Sequence, residues 1–311
     1  MKKVLVTGGA GFIGSHVVEA LIRKKYEVAV IDNFSSGRLE NISGLPVDLY
    51  ICDVTDPSVI NLVQSIKPDC IIHLAAQISV AKSVADPLAD ERINVRGSLN
   101  VIQAAHQAGA SRVVFASSAA VYGEPQDLPV TPEQPAAPES PYGLAKLTVE
   151  SYLKMFHKFY HLSYSILRFS NVYGPRQDAE GEGGVVSIFA DRIRKDTPPM
   201  IFGDGNQTRD FIFVRDVASA VVLALEPAES LCVNVSSGAP LSVNQLFSMM
   251  KKVSGSPIQP FYGPERDGDI RDSVLSNEAA KTLLHWKPVT SLYDGLGETI
   301  GKRQHRKRVA H

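Results

Sequence analysis

The chain has 311 residues, of which 44% are hydrophobic and 21% are charged, and its formal net charge is −1. This near-neutral balance gives no reason to expect a nucleic acid or an anionic membrane as partner. The start, "MKKVLVTGG", is too short in its apolar run for a secretory signal, and no long apolar segment occurs elsewhere. Three scattered cysteines in no metal-ligand spacing predict reduced thiols, no metal site and a cytoplasmic address.

The first half of the chain alternates short apolar runs with longer segments of helical period. The strands are predicted near residues 3–7, 27–31, 47–51, 69–73, 112–116 and 163–168. Continuous apolar strands separated by helices are typical of a parallel sheet that is covered on both faces. We therefore expect an α/β fold in which a doubly wound parallel sheet, of the Rossmann type, is joined by a smaller discontinuous α/β domain.

The domain boundaries are predicted from the sequence pattern after residue 170, where the alternation of strands and helices gives way to a loop rich in glycine and charge. We expect the sheet domain to comprise 1–170 plus about 208–236. The second domain is predicted to comprise about 171–207 plus 237–311 and to lie over the carboxyl ends of the strands. Ligands of doubly wound sheets bind at those strand ends.

A glycine loop, "VTGGAGFIGSH", follows the first predicted strand and opens the first helix. Gly8, Gly11 and Gly14 match the pattern GxxGxxG. Glycine lets the backbone turn tightly and lets a pyrophosphate approach main-chain N–H groups at the positive end of a helix. Asp32 ends the next strand, where a carboxylate accepts hydrogen bonds from the adenosine ribose and repels a 2′-phosphate. The pattern thus favours NAD, while Arg38 leaves NADP as an alternative.

Two further strand ends add to this cofactor site. Asp53 closes the strand "LYICD", and we expect it to reach the adenine amino group. The small residues of "HLAAQ", Ala75 and Ala76, with Gln77 after them, let the backbone pass close under the cofactor. His73 in the same run has apolar neighbours, so we expect a hydrogen-bonded core histidine rather than a ligand.

The segment "PYGLAK" places Tyr142 and Lys146 on one face of a helix, after the strand that ends at Ser118. In a doubly wound sheet, the end of that strand and the start of the helix face the same crevice. A nearby ammonium favours the phenolate form of a tyrosine, and a serine hydroxyl can hold a substrate oxygen in place. These three side chains are predicted to remove a proton from an alcohol while a hydride leaves the same carbon.

At this point a resemblance covers nearly the whole chain. The ordered motifs that carry it are "TGGAGFIGSH", "DNFSSG", "CDVTD", "HLAAQ", "NVRGSLNV", "SSAAVYG", "PYGLAK", "LRFSNVYGPRQ", "FGDGNQTRDFIFVRDVA" and "RDGDI". The chain resembles the extended short-chain dehydrogenase/reductases, also called NAD-dependent epimerase/dehydratases. Within them it is most similar to the bacterial and archaeal UDP-glucose (UDP-galactose) 4-epimerases.

The resemblance implies a role for each matching residue. It makes Ser118, Tyr142 and Lys146 the catalytic triad. It also implies an NAD site, with Asn94 and Lys146 near the nicotinamide ribose. The full predicted set for NAD is Gly8, Gly11, Phe12, Ile13, Gly14, Asp32, Asn33, Asp53, Val54, Ala75, Ala76, Gln77, Asn94, Tyr142 and Lys146.

The residues next to the predicted serine discriminate among reactions of this family. Relatives that eliminate water carry an Asp–Glu pair after the catalytic hydroxyl, and relatives that decarboxylate UDP-glucuronate have Glu in a "SEVYG" context. Here both positions are alanine, Ala119 and Ala120. Without a carboxylate to act as general acid, dehydration is disfavoured. Redox-neutral epimerisation at C4 through a 4-keto sugar remains as the simplest outcome.

Substrate contacts are implied in the second half of the chain. Asn171, Arg209 and Arg266 are expected to bind the diphosphate, because paired guanidinium groups bind phosphate in a bidentate way. The backbone at Val185, Ile201 and Phe202 is expected to hold the uracil, with Asp269 on the nucleotide ribose. Without the resemblance, Arg266 and Asp269 fit a charged surface loop equally well, and Arg209 fits a partner of Asp210 or Asp216.

Ser273, four residues past Asp269, is predicted to set the size of the sugar pocket. In this family a tyrosine there excludes N-acetyl groups, whereas a small residue admits them. We therefore expect UDP-GlcNAc and UDP-GalNAc to be substrates besides UDP-glucose and UDP-galactose. A UDP-glucuronate 4-epimerase is an alternative, although "SNVYGPRQD" replaces the "TVYGPWGRPD"-like segment of those enzymes.

Other classes of function are weighed against this one. A nucleotide-sugar oxidoreductase would have to exchange its cofactor at every turnover. A dehydratase is the other enzymatic alternative, which Ala119 and Ala120 disfavour. An inactive NAD-sensing protein would usually lack the tyrosine or the lysine, and this chain keeps both. The expected partners are a UDP-sugar and a second copy of the chain. The homodimer is predicted to pair the helices near 88–107 and 142–160.

Overall fold

A computed structural model of the chain describes residues 2–179, 184–265 and 270–301. The strands are β1 (Lys3–Thr7), β2 (Glu27–Asp32), β3 (Val47–Ile51), β4 (Cys70–His73), β5 (Arg112–Ser118), β6 (Ser163–Phe169), β7 (Asn171–Tyr173), β8 (Met200–Phe202), β9 (Thr208–Phe213), β10 (Leu231–Val235), β11 (Pro240–Ser242) and β12 (Phe261–Gly263). The helices are α1 (Phe12–Arg23), α2 (Ser58–Ile66), α3 (Val80–Ala85), α4 (Pro87–Glu91), α5 (Gly97–Gln107), α6 (Pro141–Tyr160), α7 (Val185–Arg194), α8 (Val214–Leu223), α9 (Val243–Ser254), α10 (Glu278–Leu283) and α11 (Leu292–Ile300).

The centre of the molecule is a seven-stranded parallel sheet in the order β10-β6-β5-β4-β1-β2-β3. All six strands predicted in the first half of the chain are present in it. Val4, Leu5 and Val6 of β1 are fully buried because helices cover both faces of the sheet. The strand order reverses between β1 and β4, which opens a crevice at the carboxyl ends of these strands. The doubly wound α/β fold is confirmed.

A smaller region is built around two short sheets, β11-β9-β7 and β12-β8. Its own apolar cluster contains Tyr173, Phe189, Phe247 and Leu296. The segment predicted to return to the sheet domain, about 208–236, is divided between the two regions. Its strand β9 lies in the three-stranded sheet, whereas α8 packs against α1 and β10 joins the central sheet. The exact domain boundary therefore stays a prediction.

The helix predicted near 88–107 is present as an uninterrupted helical run from Pro87 to Gln107 that contains a π-helical turn. Asp86 accepts a hydrogen bond from Ala89 N (3.0 Å), and Pro87 occupies the first turn of α4, so a new helix begins there. A π-helical turn at Arg92–Arg96 then joins α4 to α5 and buries Asn94. Such turns re-aim side chains within a helix. None of the helices in the described ranges is long and apolar enough to cross a bilayer.

Candidate active site

One cavity of about 720 Å³ lies at the carboxyl ends of the central strands. All but one of the residues predicted to bind NAD line it, and the exception is Asn94. Those that line it are Gly8, Gly11, Phe12, Ile13, Gly14, Asp32, Asn33, Asp53, Val54, Ala75, Ala76, Gln77, Tyr142 and Lys146. The glycine loop, the second strand end and the tyrosine–lysine helix therefore meet in one place.

The glycine loop is packed too tightly for side chains. Gly8 has a φ of +71°, and a Cβ there would lie 2.8 Å from Ala75 N. A Cβ on Gly14 would lie 2.0 Å from the carbonyl oxygen of Gly8. Gly11 precedes α1 without a side-chain cap, so the first N–H groups of the helix face the cavity mouth unblocked. This cradle fits the pyrophosphate of a dinucleotide.

Asp32 is held rigidly at the end of β2. Its Oδ2 accepts a hydrogen bond from Ala10 N (2.9 Å), and its Oδ1 accepts one from Phe34 N (2.8 Å). A carboxylate offers about four acceptor positions, so two remain for ribose hydroxyls. Arg38, which left NADP open in the sequence, directs Nη2 to within 3.5 Å of Asp178 Oδ2. This strand end therefore fits NAD.

Asp53 and Asn33 form the next part of the wall. Asn33 Nδ2 donates to Asp53 Oδ2 (2.9 Å), and Thr55 N donates to Asp53 Oδ1 (2.8 Å). Partial burial raises the pKa of Asp53, but the hydrogen bonds from Thr55 and Asn33 outweigh it and hold the pKa below the usual value. The Asp53 carboxylate is thus kept as an acceptor in the cavity wall, and its contact with the adenine stays a prediction.

Tyr142 and Lys146 are placed by the first turns of α6. Ser140 caps this helix by accepting a hydrogen bond from Gly143 N (3.1 Å), and Tyr142 N donates to Ser83 Oγ (3.2 Å). One turn later, Lys146 Nζ donates to Ala116 O (2.9 Å) and lies 5.7 Å from the centre of the Tyr142 ring. The two side chains therefore share one face of the helix, directed to the cavity.

Lys146 is 4% exposed. Burial lowers its pKa to about 8, although the negative charges of Asp90 and Glu150 act in the opposite direction. At neutral pH an ammonium ion therefore stays beside the tyrosine. A positive charge at this position favours the phenolate form of the neighbouring ring.

Ser118 lies at the end of β5, and its Oγ accepts a hydrogen bond from Ala120 N (3.2 Å). It is not among the cavity-lining residues, whereas Ala116 and Ser117 of the same strand are. A Cβ on Gly143 would lie 2.4 Å from Ala120 O, so the turn after Ser118 packs directly on the first turn of α6. The predicted serine and tyrosine thus sit on touching segments, and the catalytic role of Ser118 stays a prediction.

Asn94 supports the cavity from behind. Its side chain is buried, accepts a hydrogen bond from Gln77 N (2.9 Å) and donates one to Gln77 O (2.9 Å). These bonds engage both ends of the amide with the main chain of Gln77, which does line the cavity. Asn94 thus supports a residue of the cavity wall, and its predicted place near the nicotinamide ribose stays a prediction.

His73 is a core residue, as predicted. Its Nδ1 lies 2.7 Å from Thr7 Oγ1, and its Nε2 lies 2.9 Å from Ser98 Oγ. Burial, with a smaller effect from the charge of Lys146, lowers the pKa of His73 to about 3. The imidazole therefore stays neutral under the cavity floor.

None of the described residues predicted to bind the substrate lines this cavity. Arg266 and Asp269 fall outside the described residues. Asn171 is exposed at the start of β7, Ile201 is buried in the core of the smaller region, and Val185 packs against the same cluster. Phe202 is half-buried at the end of β8.

Arg209 and Ser273 are brought together by one carbonyl group. Arg209 Nη1 donates to Thr208 O (2.8 Å), and Ser273 N donates to the same oxygen (3.2 Å). Both residues are half-buried. The predicted diphosphate contact and the predicted size filter are therefore neighbours in space, although they are distant in sequence.

Sequence reasoning missed several residues of the cavity. Asp90 lies one helical turn before Asn94, and this spacing was the only signal for it. The loop after β7 contributes Arg176, Gln177 and Asp178. This strap, residues 174–178, is tied to the sheet domain at three points. His16 Nε2 lies 3.0 Å from Pro175 O, Arg176 pairs with Glu19, and Asp178 faces Arg38.

Comparison with known proteins agrees with this geometry. The family model described as the NAD dependent epimerase/dehydratase family matches residues 4–235. A UDP-glucose 4-epimerase from Thermotoga maritima, solved with UDP-glucose, is 42% identical with a TM-score of 0.91. A UDP-glucose 4-epimerase from Thermus thermophilus, solved with NAD, is 39% identical with a TM-score of 0.90. Each comparison covers 96% of this chain and 97% of the other.

A third structure widens the range of sugars among the relatives. A UDP-N-acetylglucosamine 4-epimerase from Methanobrevibacter ruminantium, in complex with UDP-N-acetylmuramic acid, is 38% identical with a TM-score of 0.92. The match covers 96% of this chain and 97% of the other chain. This chain has the glycine cradle, the acid at the end of β2 and the tyrosine–lysine pair in one cavity. These three structures match it over 96% of its length. The chain belongs to the NAD dependent epimerase/dehydratase family.

Proposed function

We propose that the protein interconverts UDP-hexoses at C4, UDP-glucose with UDP-galactose, through a transient 4-keto sugar. The observation that carries this proposal is the buried ammonium of Lys146, placed beside Tyr142 in the same cavity as the glycine cradle and Asp32. A base, a cofactor cradle and a water-poor wall are the parts that reversible alcohol oxidation needs.

Tyr142 and Ser118 have separate roles in moving the proton of the C4 hydroxyl. When bound, NAD supplies a reversible hydride acceptor at C4. Tyr142, beside the Lys146 ammonium, takes the proton of the C4 hydroxyl and later returns it. Ser118, at the end of β5, holds the C4 oxygen in line during both transfers. The 4-keto sugar turns about its diphosphate linkage between them, so hydride returns to the opposite face.

Dehydration has no support in this chain. Ala119 and Ala120 form the turn that packs on the first turn of α6, and neither carries a group that protonates a leaving hydroxyl. The reaction therefore ends with the original oxidation state of both substrate and cofactor. We expect NAD to remain bound from one turnover to the next.

We propose that the nucleotide is held by the smaller region and the sugar is left loose. Arg209 and Asn171, with Arg266, would bind the diphosphate; the backbone at Val185, Ile201 and Phe202 would bind the uracil, and Asp269 the ribose. The shared contact of Arg209 and Ser273 with Thr208 O supports a diphosphate site next to the sugar pocket. Ser273 is small, so the proposed substrates include UDP-GlcNAc and UDP-GalNAc.

We also propose a homodimer and a cytoplasmic address. Large apolar side chains remain exposed on α3, α4 and α6. Leu88 is 80% exposed and Phe159 is 63% exposed, and Val84, Leu144 and Met155 are exposed with them. Exposed apolar faces of this extent favour pairing of helices between two copies. We propose further that the sheet domain binds NAD and the smaller region binds the nucleotide sugar.

The test uses purified protein without added cofactor. It is incubated separately with UDP-glucose, UDP-galactose, UDP-GlcNAc, UDP-GalNAc and UDP-glucuronate, and the epimers are resolved by chromatography. We expect both hexose and N-acetylhexosamine pairs to interconvert. Conversion of UDP-glucuronate alone would replace the proposal by the glucuronate epimerase. Denaturation should release NAD in near-stoichiometric amount, and a protein without NAD or turnover would favour another class.

A further inference from the structure

Asp90 is a buried acid on the nicotinamide side of the cavity. It is 2% exposed, on α4, in the wall that also contains Gln77, Tyr142 and Lys146. Its Oδ1 accepts two hydrogen bonds, from Gln77 Nε2 (2.7 Å) and Asn94 Nδ2 (2.8 Å). Among the described residues, its Oδ2 has no hydrogen-bond partner although it is inaccessible to solvent. A buried carboxylate oxygen of this kind needs a compensating charge.

Lys146, which lies in the same cavity wall, is the candidate for that charge. The helix α4 packs against α6, and the charges of Asp90 and Lys146 act on each other. Burial is the largest influence and leaves the pKa of Asp90 above its usual value, although the hydrogen bonds from Gln77 and Asn94 and the charge of Lys146 act in the opposite direction. In return, Asp90 is the largest of the influences that oppose the loss of the lysine proton.

The other ionisable groups around the lysine are already accounted for. Glu150, on α6, pairs with Arg168 (2.6 Å) and accepts a hydrogen bond from Ser117 Oγ (2.6 Å). His73, on β4, is neutral because burial lowers its pKa to about 3. Tyr142 is the side chain on which the lysine acts. Lys82 of α3 and Asp86, just before α4, are further charged residues of the cavity wall, and both are exposed. Of the two acids that act on Lys146, Glu150 is paired with the buried Arg168, whereas Asp90 has no arginine partner among the described residues.

We propose that Asp90 is a positioning residue whose carboxylate is the buried counter-charge of Lys146, keeping the lysine an ammonium ion and fixing the Gln77–Asn94 pair in the cavity wall. This inference rests on the proposed function for its catalytic meaning, because the ammonium matters through Tyr142. Its electrostatic content is independent of the substrate.

The direct test is NMR of protein labelled with ¹⁵N at the lysine side chains, with Lys146→Arg used for assignment. The Lys146 Nζ resonance should titrate near pH 8 in the unaltered protein. In Asp90→Asn, an isosteric amide keeps an oxygen for the hydrogen bonds of Gln77 and Asn94 but lacks the charge. The midpoint should fall by about one pH unit, since a neighbouring negative charge favours the ammonium. An unchanged midpoint would overturn the proposal.

Glu91→Gln is the matched control. Glu91 is the next residue on α4 and is exposed, so the same loss of one charge there should leave the Lys146 midpoint in place. If Glu91→Gln moves the midpoint as far as Asp90→Asn does, the effect is a general field effect and the proposal fails. If Asp90→Asn does not fold, the test is made on the unaltered protein, by following the Asp90 Cγ resonance against pH. The Asp90 Cγ resonance must then change at the Lys146 midpoint, and a flat trace contradicts the proposal.

A second readout connects the charge to turnover. The alkaline limb of kcat for UDP-galactose should shift to lower pH by about one unit in Asp90→Asn, with retained NAD unchanged. A uniform loss of kcat at all pH values would indicate a structural role and contradict the proposal. Because the NMR titration needs no substrate, it tests the Asp90–Lys146 pair even if no UDP-sugar is converted. Failure of the proposed function and failure of this inference are therefore distinguishable.

Discussion

The two sides of the active site are built in different ways. The cofactor side consists of strand ends and helix starts of the central sheet, and its predicted residues meet in one cavity. The proposed sugar side consists of β7, β8, β9, α7 and the segment 270–275, and its described residues are spread from the exposed Asn171 to the fully buried Ile201. A rigid cradle suits the proposed permanently bound cofactor, whereas sparse contacts suit a sugar that is proposed to rotate during the reaction. The difference follows the chemistry proposed for each ligand.

The sharpest way to break this comparison is Tyr142→Phe. Loss of the phenol should lower kcat about 10²- to 10⁴-fold, because general-base catalysis contributes that much. Retained NAD and thermal stability should stay unchanged, since the ring remains. The measurement is epimer formation from UDP-galactose. Tyr152→Phe removes the same hydroxyl from an exposed position of α6 and should retain full activity. Near-normal turnover in Tyr142→Phe would remove this residue as the base.

Gly14→Ala tests the rigidity of the cofactor side. A Cβ there would lie 2.0 Å from Gly8 O, so the loop must shift and the cradle must open. We expect retained NAD to drop at least about tenfold, equivalent to about 1.4 kcal/mol of binding. Released NAD is measured after denaturation. Gly297→Ala, on α11, meets only Val253 Cγ1 at 3.5 Å and should retain NAD fully. Equal NAD content in both variants would show that the cradle tolerates movement.

Arg209→Lys tests the sugar side. A lysine keeps the charge but loses the planar fork that binds phosphate oxygens in pairs. We expect KM for UDP-galactose to rise about tenfold, or about 1.4 kcal/mol, with little change in kcat. Arg271→Lys makes the same exchange at an exposed arginine that pairs with Asp204. If both variants raise KM alike, Arg209 has no special role in substrate binding.

The smallest expected effect concerns the size of the sugar pocket. Ser273→Tyr should leave kcat/KM for UDP-galactose within about threefold and lower that for UDP-GalNAc by about tenfold or more, a difference of about 1–3 kcal/mol typical of pocket size changes. The two substrates, measured on one preparation, serve as mutual controls. Parallel loss of both activities would indicate damage to the neighbouring Arg209 contact instead of a size filter.

The sequence anticipated what depends on local pattern. Asp32 and Gly14 are recognisable because a strand, a tight turn and a helix must follow one another in a fixed order. The strands of the sheet were located for the same reason, since burial on both faces makes each one a continuous apolar run.

Contacts between distant segments were harder to predict. The hydrogen bonds of the Asn94 side chain to the main chain of Gln77 were not anticipated, because nothing local in the sequence shows that these two segments meet. Asp90 resembles any acid on a short helix until the packing of α4 on α6 is known. The break at Pro87 and the π-helical turn after it decide which side chains of this segment turn inward. The neighbouring positions of Arg209 and Ser273 depend on a loop–strand contact that no periodicity encodes.

The strap at residues 174–178 has a consequence for how the protein relates to its surroundings. It contacts the sheet domain through His16, Glu19 and Arg38, and three of its residues line the cavity, so we expect a bound dinucleotide to leave slowly. Because the proposed cycle restores the oxidised cofactor in place, we expect each molecule to draw on the free NAD pool rarely. We expect the reaction rate to be insensitive to the ratio of oxidised to reduced NAD in the medium, so that sugar supply can proceed in a reduced cell as readily as in an oxidised one.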